Sequence, residues 1–324
     1  MKTFRLASTL ALNNISINRE QSLSIIAADF NQLMFESNRI RNRHHGNEVS
    51  VCSIVNARSG KCSENCKFCA QSVHNSAKID SFDMISPDKI VAAFNSADKF
   101  PISHFGIVTS GRNEAGGKKI EKEKLIDALK KMDGDAAASL CVSIGGIDDE
   151  FLKILKEYGV TRIHHNLETS ENFFPKICTS HSYQERIENI KRAKKYGFNV
   201  CSGGLFGLGE SWEDRIDLAL QLQQLEIKSV PLNFLNPVEG TPLENAEPIL
   251  PRDILRIIAL FRFVLPTAEI KIAGGREVNL RDMQSWIFAA GATSLMIGDY
   301  LTTKGRGAKQ DLQMIKDLGL RVAR

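Results

Sequence analysis

The stretch SLCVSIGGIDDEFLKILKEYGVTRIHHNL, residues 139–167, decides the fold. It reads as a strand at 139–144, a helix at 148–158 and a second strand at 162–167. A strand, a helix and another strand in close succession predict a parallel pair with a helical crossover. In the first strand Ser139, Cys141 and Ser143 alternate with Leu140 and Val142. In the second, His164, Asn166 and Glu168 alternate with Ile163, His165 and Leu167. Successive strand side chains face opposite ways. The small or polar set therefore predicts the wall of a cavity, and the apolar set packs under helices.

The same unit recurs in both directions. Strand-like runs at 51–56, 104–109, 198–202, 229–235, 269–273 and 294–297 bring the total to eight. Helical stretches lie at 87–98, 121–132, 182–196, 211–225, 251–263, 280–290 and 310–318. Eight βα units predict an α/β fold, a (βα)8 barrel of the triosephosphate isomerase type, which takes ~250 residues. Residues 1–48 read as an N-terminal helical extension and 49–324 as the barrel domain. Asn199, Cys201 and Gly203 repeat the small-or-polar parity, as do Glu269, Lys271 and Ala273. Pro87 and Pro251 stand where a first helical turn tolerates proline, and Ser211 reads as an N-cap before Glu213 and Asp214.

Composition narrows the function. The 324 residues are 43% hydrophobic and 25% charged, an ordinary globular balance. Forty-two basic and 38 acidic residues give a net charge of +4, too even to predict a nucleic-acid or membrane partner. No apolar run has the length of a transmembrane helix. The segment 1–12 carries Lys2, Arg5 and a short apolar patch with no cleavage site. It reads as a capping segment rather than a signal peptide, so the expected compartment is cytoplasmic.

Seven cysteines are the unusual feature, and three fall in Cys62-Ser63-Glu64-Asn65-Cys66-Lys67-Phe68-Cys69. An odd count with this crowding argues against a disulfide framework and for reduced thiolates on a metal. The loop follows the first predicted strand, where barrel active-site loops begin. Three thiolates on one loop can each bind one iron of a four-iron cluster and leave the fourth iron open. A structural zinc site asks for four ligands, and the triplet alone would leave it incomplete.

This CxxxCxxC triplet, with Phe68 in its last gap, resembles the radical S-adenosylmethionine superfamily. Further motifs resemble biotin synthase: Asn56 to Lys61 before the triplet, Ala70-Gln71-Ser72 after it, and His165-Asn166-Leu167-Glu168-Thr169. Others are Tyr183-Gln184-Glu185-Arg186, Cys201-Ser202-Gly203-Gly204, Gly207-Leu208-Gly209-Glu210, Pro231-Leu232-Asn233 and Ala273-Gly274-Gly275-Arg276-Glu277. The matches run in order from about residue 28 to the C-terminus.

The resemblance implies a sulfurtransferase that inserts sulfur into dethiobiotin to form biotin. It implies a 4Fe-4S cluster on Cys62, Cys66 and Cys69 whose open iron chelates S-adenosylmethionine, from which a 5′-deoxyadenosyl radical is made. By resemblance Phe68, Asn166, Glu168, Arg186 and Leu205 bind that cofactor. Glu168 would meet the ribose hydroxyls, Arg186 the carboxylate and Leu205 the adenine. Asn166 and Asn233 would contact the ureido group of dethiobiotin, since an amide offers both donor and acceptor. Asn233 reads alternatively as a turn residue before Asn236-Pro237. A low-potential electron donor of flavodoxin or ferredoxin type and a homodimer are also implied.

Biotin synthases carry a second, auxiliary iron–sulfur cluster, in the familiar form held by cysteines on strands two, three and five and an arginine on strand seven. Here Cys141 and Cys201 fill two of these places, while Gly106 and Lys271 stand in the others. Cys52 on strand one is the expected compensation. Three thiolates from three strands suit a four-iron auxiliary cluster better than a two-iron one. Lys271 would offset the cluster's charge, His164 and His104 would be its polar neighbours, and Cys178 reads as structural. The rival readings are a hydrogenase maturase or a methylornithine synthase of the same branch, which lack the Cys201-Ser202-Gly203-Gly204 and Asn166 contexts. From a different class, a non-enzymatic metal-binding module would carry zinc and no iron.

Overall fold

The structure, a computed structural model, describes residues 2–112, 119–132, 138–146 and 148–323. Among these, the strand segments all pair in parallel: β1 (Glu48–Arg58), β2 (His104–Arg112), β3 (Ser139–Gly145), β4 (Val160–His164), β5 (Asn199–Cys201), β6 (Gly204–Phe206), β7 (Ser229–Phe234), β8 (Glu269–Ile272), β9 (Ser294–Met296) and β10 (Arg321–Ala323). Each of β1 to β5 lies beside the next, and β7 to β9 continue the order. β5 and β6 both pair with β7 and act as two halves of one barrel strand, broken at Ser202-Gly203. β9 returns to β1 through Ser50↔Ser294 and Cys52↔Met296, which closes the barrel at eight strand positions. β10 is an addition, paired to the start of β1 through Glu48↔Arg321.

The alternation of side chains works as expected. Val51, Ile107, Val142, Ile163, Val230, Ile270 and Leu295 are buried under the surrounding helices. Cys141, Ser143, His164, Cys201, Lys271 and Ala273 line the interior cavity. The helices begin where their capping chemistry says. Ser86, Asp148 and Ser182 each accept a hydrogen bond from the backbone three residues on, and Ser211 forms a capping box with Asp214.

The N-terminal extension is three helices, α1 (Lys2–Leu12), α2 (Arg19–Ile26) and α3 (Phe30–His45). All three pack against the helix Pro251–Val264. That helix carries Arg262, which is fully buried. Its guanidinium donates to the carbonyls of Gly291 (2.8 Å), Pro266 (2.9 Å) and Ala268 (2.9 Å), and to Nε2 of His45 (3.0 Å). Among the described residues no carboxylate pairs with it. Burial pulls its pKa down to about 9. Burial, then the charge of Arg262, hold His45 at about 3.

Two expectations need correction. The stretch 280–290 is not one helix. It divides into Arg276–Leu280, a 3-10 turn at Arg281–Met283 and Trp286–Ala289, because Arg281 takes a positive φ of 50°. The fourth strand starts earlier and ends earlier than 162–167, so Asn166 and Glu168 stand on the loop beyond it. No helix among the described residues is long and apolar enough to cross a membrane.

Candidate active site

One cavity of about 480 Å³ occupies the barrel interior and its mouth. Its lining brings together every site residue expected from the sequence: Cys62, Cys66, Phe68 and Cys69 from the loop after β1; Asn166, Glu168 and Arg186; Leu205 and Asn233; and Cys52, Cys141 and Cys201 from the barrel wall. These fall into two groups, one at the loops and one within the strands.

The cysteine loop is folded by its own backbone. The amides of Cys62 and Val73 pair with the carbonyls of Gln71 and Cys62, and Cys69 N–H donates to Cys66 C=O. Asn75 donates its amide protons to the carbonyls of Cys66 (3.2 Å) and Cys69 (2.8 Å). Burial raises the Cys69 thiol to about 11. Cys66 lies with its sulfur 3.6 Å from that of Cys178, a residue expected to be merely structural. Three thiols on one short, internally tied loop at a cavity mouth fit a cluster that takes three protein ligands.

Opposite this loop, Asn166, Glu168 and Arg186 form one network. Arg186 donates from Nη1 to the Asn166 carbonyl at 2.8 Å and lies 3.8 Å from a Glu168 oxygen. These partners of Arg186 are in the cavity wall. The Glu168 backbone has φ +71°, a left-handed value that costs energy outside glycine and is found where surroundings enforce it. Gly204 shows the enforcement: a Cβ there would sit 2.7 Å from the Glu168 carbonyl oxygen. Gly203 is under the same constraint, since its Cβ would overlap the Pro231 carbonyl. The double glycine thus lets the β4 loop, β6 and β7 meet.

Asn233 and Asn166 are more engaged than expected. Asn233 accepts from Gly274 N–H at 3.0 Å and donates to Gly204 C=O at 3.3 Å, and Asn166 accepts from Gly203 N–H at 3.1 Å. Each amide keeps one further donor or acceptor site for a ligand. Glu210 ends the glycine motif by accepting from the backbone N–H of Gly207 and Leu208 and from Arg215. It organises the turn and does not line the cavity.

Deeper in the barrel, Cys52, Cys141 and Cys201 are joined by Arg162, Glu269 and Lys271. Lys271 is buried and pairs with Glu269 at 3.1 Å, while Arg162 pairs with the same carboxylate at 3.5 Å. Burial opposes the Glu269 charge, but Lys271 and Arg162 hold its pKa well below the usual carboxylate range. Burial raises Cys52, and with the neighbouring Cys201 charge it pushes Cys141 up to about 12. For Cys201 burial is outweighed by Lys271, His164 and Arg162, which bring it down to about 6. His104 is held neutral, at about 4, by burial and by Arg162 and Lys271. Its Nδ1 and Arg162 Nε are buried with no partner. Buried polar atoms are normally paired. Three thiols, two cations and two unmet polar atoms around one space fit a sulfur-rich anionic group.

Gly106 is next to this set and cannot join it. It faces Ile54, whose Cγ2 would lie 3.0 Å from a Cβ there. Arg162 escaped the sequence reading. Its parity with His164 was the signal, but an arginine at a strand start reads as a surface residue. Tyr300, Leu301 and Thr302, from the loop after β9, also line the cavity and had no motif to mark them.

A parallel barrel with a three-cysteine loop at its mouth defines the radical S-adenosylmethionine class. The profile of the Radical SAM superfamily matches residues 57–222, and that of the Biotin and Thiamin Synthesis associated domain matches 231–321. The sequence is 49% identical over 306 residues to the biotin synthase of Endomicrobium trichonymphae, covering 94% of each chain. It is 50% identical over 287 residues to that of Geotalea daltonii, covering 89% of this chain and 87% of that one. The chain belongs to the biotin synthase family. Among solved structures, a methylornithine synthase superposes with a TM-score of 0.82 at 18% identity, covering 98% of this chain and 97% of that one. A FeFe-hydrogenase maturase from Carboxydothermus hydrogenoformans gives 0.80 at 15% identity, covering 99% of this chain and 79% of that one. Those two share the barrel. The sequence relatives separate this chain from them.

Proposed function

We propose that the cavity performs sulfur insertion into dethiobiotin with two iron–sulfur clusters, one held by Cys62, Cys66 and Cys69 and an auxiliary one held by Cys52, Cys141 and Cys201. The observation that carries this reading is the second set of three thiols, buried Cys52 and Cys201 with half-buried Cys141, beside Lys271 and Arg162 on the wall of the same cavity as the cysteine loop. When bound, the first cluster and S-adenosylmethionine supply one-electron chemistry able to open C–H bonds that no side-chain base could deprotonate. A low-potential electron donor completes that chemistry.

The chain's own residues bind, orient and exclude water. Arg186 is placed to meet a carboxylate with its planar fork. Glu168 is placed to accept from ribose hydroxyls, and Leu205 gives an apolar surface to the base. Asn166 and Asn233 present amide edges to a ureido ring between the two thiol groups. In the lower group Lys271 and Arg162 offset the charge of three thiolates, and Glu269 holds both cations in place. Cys52, Cys141 and Cys201 would hold three irons of a four-iron auxiliary cluster, and that cluster would supply the sulfur.

Iron counting and Mössbauer spectra of anaerobically reconstituted protein test this. Wild type is expected to hold two clusters of four-iron type. Cys52→Ala is expected to lose the auxiliary signal and keep the first. An unchanged second cluster in Cys52→Ala would overturn the assignment, and a two-iron spectrum in wild type would overturn the cluster type.

A further inference from the structure

The short segment Cys178-Thr179-Ser180-His181 lies against the cysteine loop. Asn65 Oδ1 accepts from the backbone N–H of Thr179 (2.9 Å) and Ser180 (3.0 Å). Glu64, between Cys62 and Cys66, accepts from His181 Nδ1 and from Ser180 Oγ. On the other side of the ring, Arg186 Nε donates to His181 Nε2 at 3.0 Å. Phe174 packs edge-on to His181, with ring centroids 5.5 Å apart, and lies 5.4 Å from the Arg186 guanidinium carbon.

These contacts fix the proton on the ring. Arg186 Nε can only donate, so Nε2 must carry the lone pair and Nδ1 the hydrogen. That hydrogen points at the Glu64 carboxylate, which selects the same tautomer, as an acceptor beside one ring nitrogen does generally. The donor atoms of Glu64, Cys178 and His181 also lie within 4.8 Å of one another, which suggests a metal site. The Arg186 bond argues against it. A metal on Nδ1 would move the hydrogen to Nε2, where it would oppose the Arg186 N–H at 3.0 Å. The group is a hydrogen-bond relay.

We propose that His181 is a positioning residue for S-adenosylmethionine. With Glu64 behind it, it fixes the guanidinium of Arg186 for the carboxylate of the ligand's methionyl group. The proposal rests on the reading that Arg186 meets this carboxylate. A side chain held at Nε by the ring and at Nη1 by the Asn166 carbonyl loses its freedom before the ligand arrives, so less is lost on binding. The relay also ties the ligand's arginine to the loop that carries the cluster cysteines, so the two halves of one site keep a fixed spacing.

The test is the dissociation constant of S-adenosylmethionine for the iron-loaded protein, by anaerobic equilibrium dialysis, with iron per chain measured on each sample. His181→Ala is expected to weaken binding about 10-fold, the cost of one charge-assisted hydrogen bond. His181→Gln, whose amide oxygen can accept from Arg186, is expected to stay within about 3-fold of wild type. Iron content should not change in either. Arg186→Ala should weaken binding more, and His181→Ala added to it should cost little further, as expected for two groups acting as one. An unchanged constant in Arg186→Ala would overturn the reading beneath the proposal. A loss in Arg186→Ala with none in His181→Ala would overturn the proposal alone, as would failure of His181→Gln to restore binding or loss of iron in His181→Ala.

Discussion

At the scale of single residues, the site is built by two kinds of relation: spacing and parity along the chain, and contacts made where loops meet. The cysteine triplet declares itself because its ligands are adjacent in the chain. Cys141, Cys201 and Lys271 declare themselves because strand parity puts them on one wall. His181 gives no such sign: Arg186 meets it from the first turns of the next helix, and Glu64 only through the folding of two loops. Gly204 was readable only as part of a glycine motif, and the structure supplies its reason. An alanine there would press its Cβ to 2.7 Å from the Glu168 carbonyl and 2.5 Å from Leu218 Cδ2. Gly204→Ala is expected to cost about 1–3 kcal/mol of stability by overpacking. It should also weaken S-adenosylmethionine binding with iron content intact, as dialysis and urea unfolding would show. Unchanged stability and affinity would mean that the Glu168 backbone yields without cost.

At the scale of elements, the strand runs were legible because period-2 alternation survives even where the wall is polar. Their ends were less so. β4 stops at His164 although the alternation runs on to Glu168, where the backbone takes a left-handed φ. The docking of α3 on the helix Pro251–Val264 carries a pH dependence. His45 accepts from Arg262 and is held neutral down to about 3. An unfolded histidine takes its proton near 6.5. The unfolded chain therefore binds the proton first, and stability is full above about pH 6.5 and falls as pH drops toward 3. The slope reaches about 1.4 kcal/mol per pH unit from this one group. His45→Gln should flatten it. Urea unfolding at pH 7, 6, 5 and 4 for both proteins would check this, and equal slopes would remove His45 as the cause.

At the scale of the whole molecule, the count of eight units predicted closure, and the β9 to β1 pairing delivers it. β10, only three residues long, had too little pattern to be seen. The last helix is secured from within. Arg276 Nη2 and Asp311 Oδ2 are 2.6 Å apart, with both side chains fully buried, and Gln284 accepts a second bond from Arg276 at 2.9 Å. Removing one partner of a buried pair strands the other charge, at a cost of about 3–5 kcal/mol. Asp311→Ala should therefore lower unfolding stability by that order, and an effect below about 1 kcal/mol would show that the guanidinium finds other acceptors. The Ala273-Gly274-Gly275-Arg276-Glu277 motif thus owes its arginine to architecture.

The closing seam has a further consequence, in time. Cys52 leaves the ribosome early, but its strand neighbour Met296 is made about 240 residues later. At the roughly 10 residues per second of synthesis, β1 waits on the order of tens of seconds for its second partner. Throughout that interval one edge of β1 stays unpaired, and Lys271, the cation beside Cys52, is absent until nearly the end. The wall around the inner thiols is complete only once Met296 has been made, so whatever fills that chamber enters after that point.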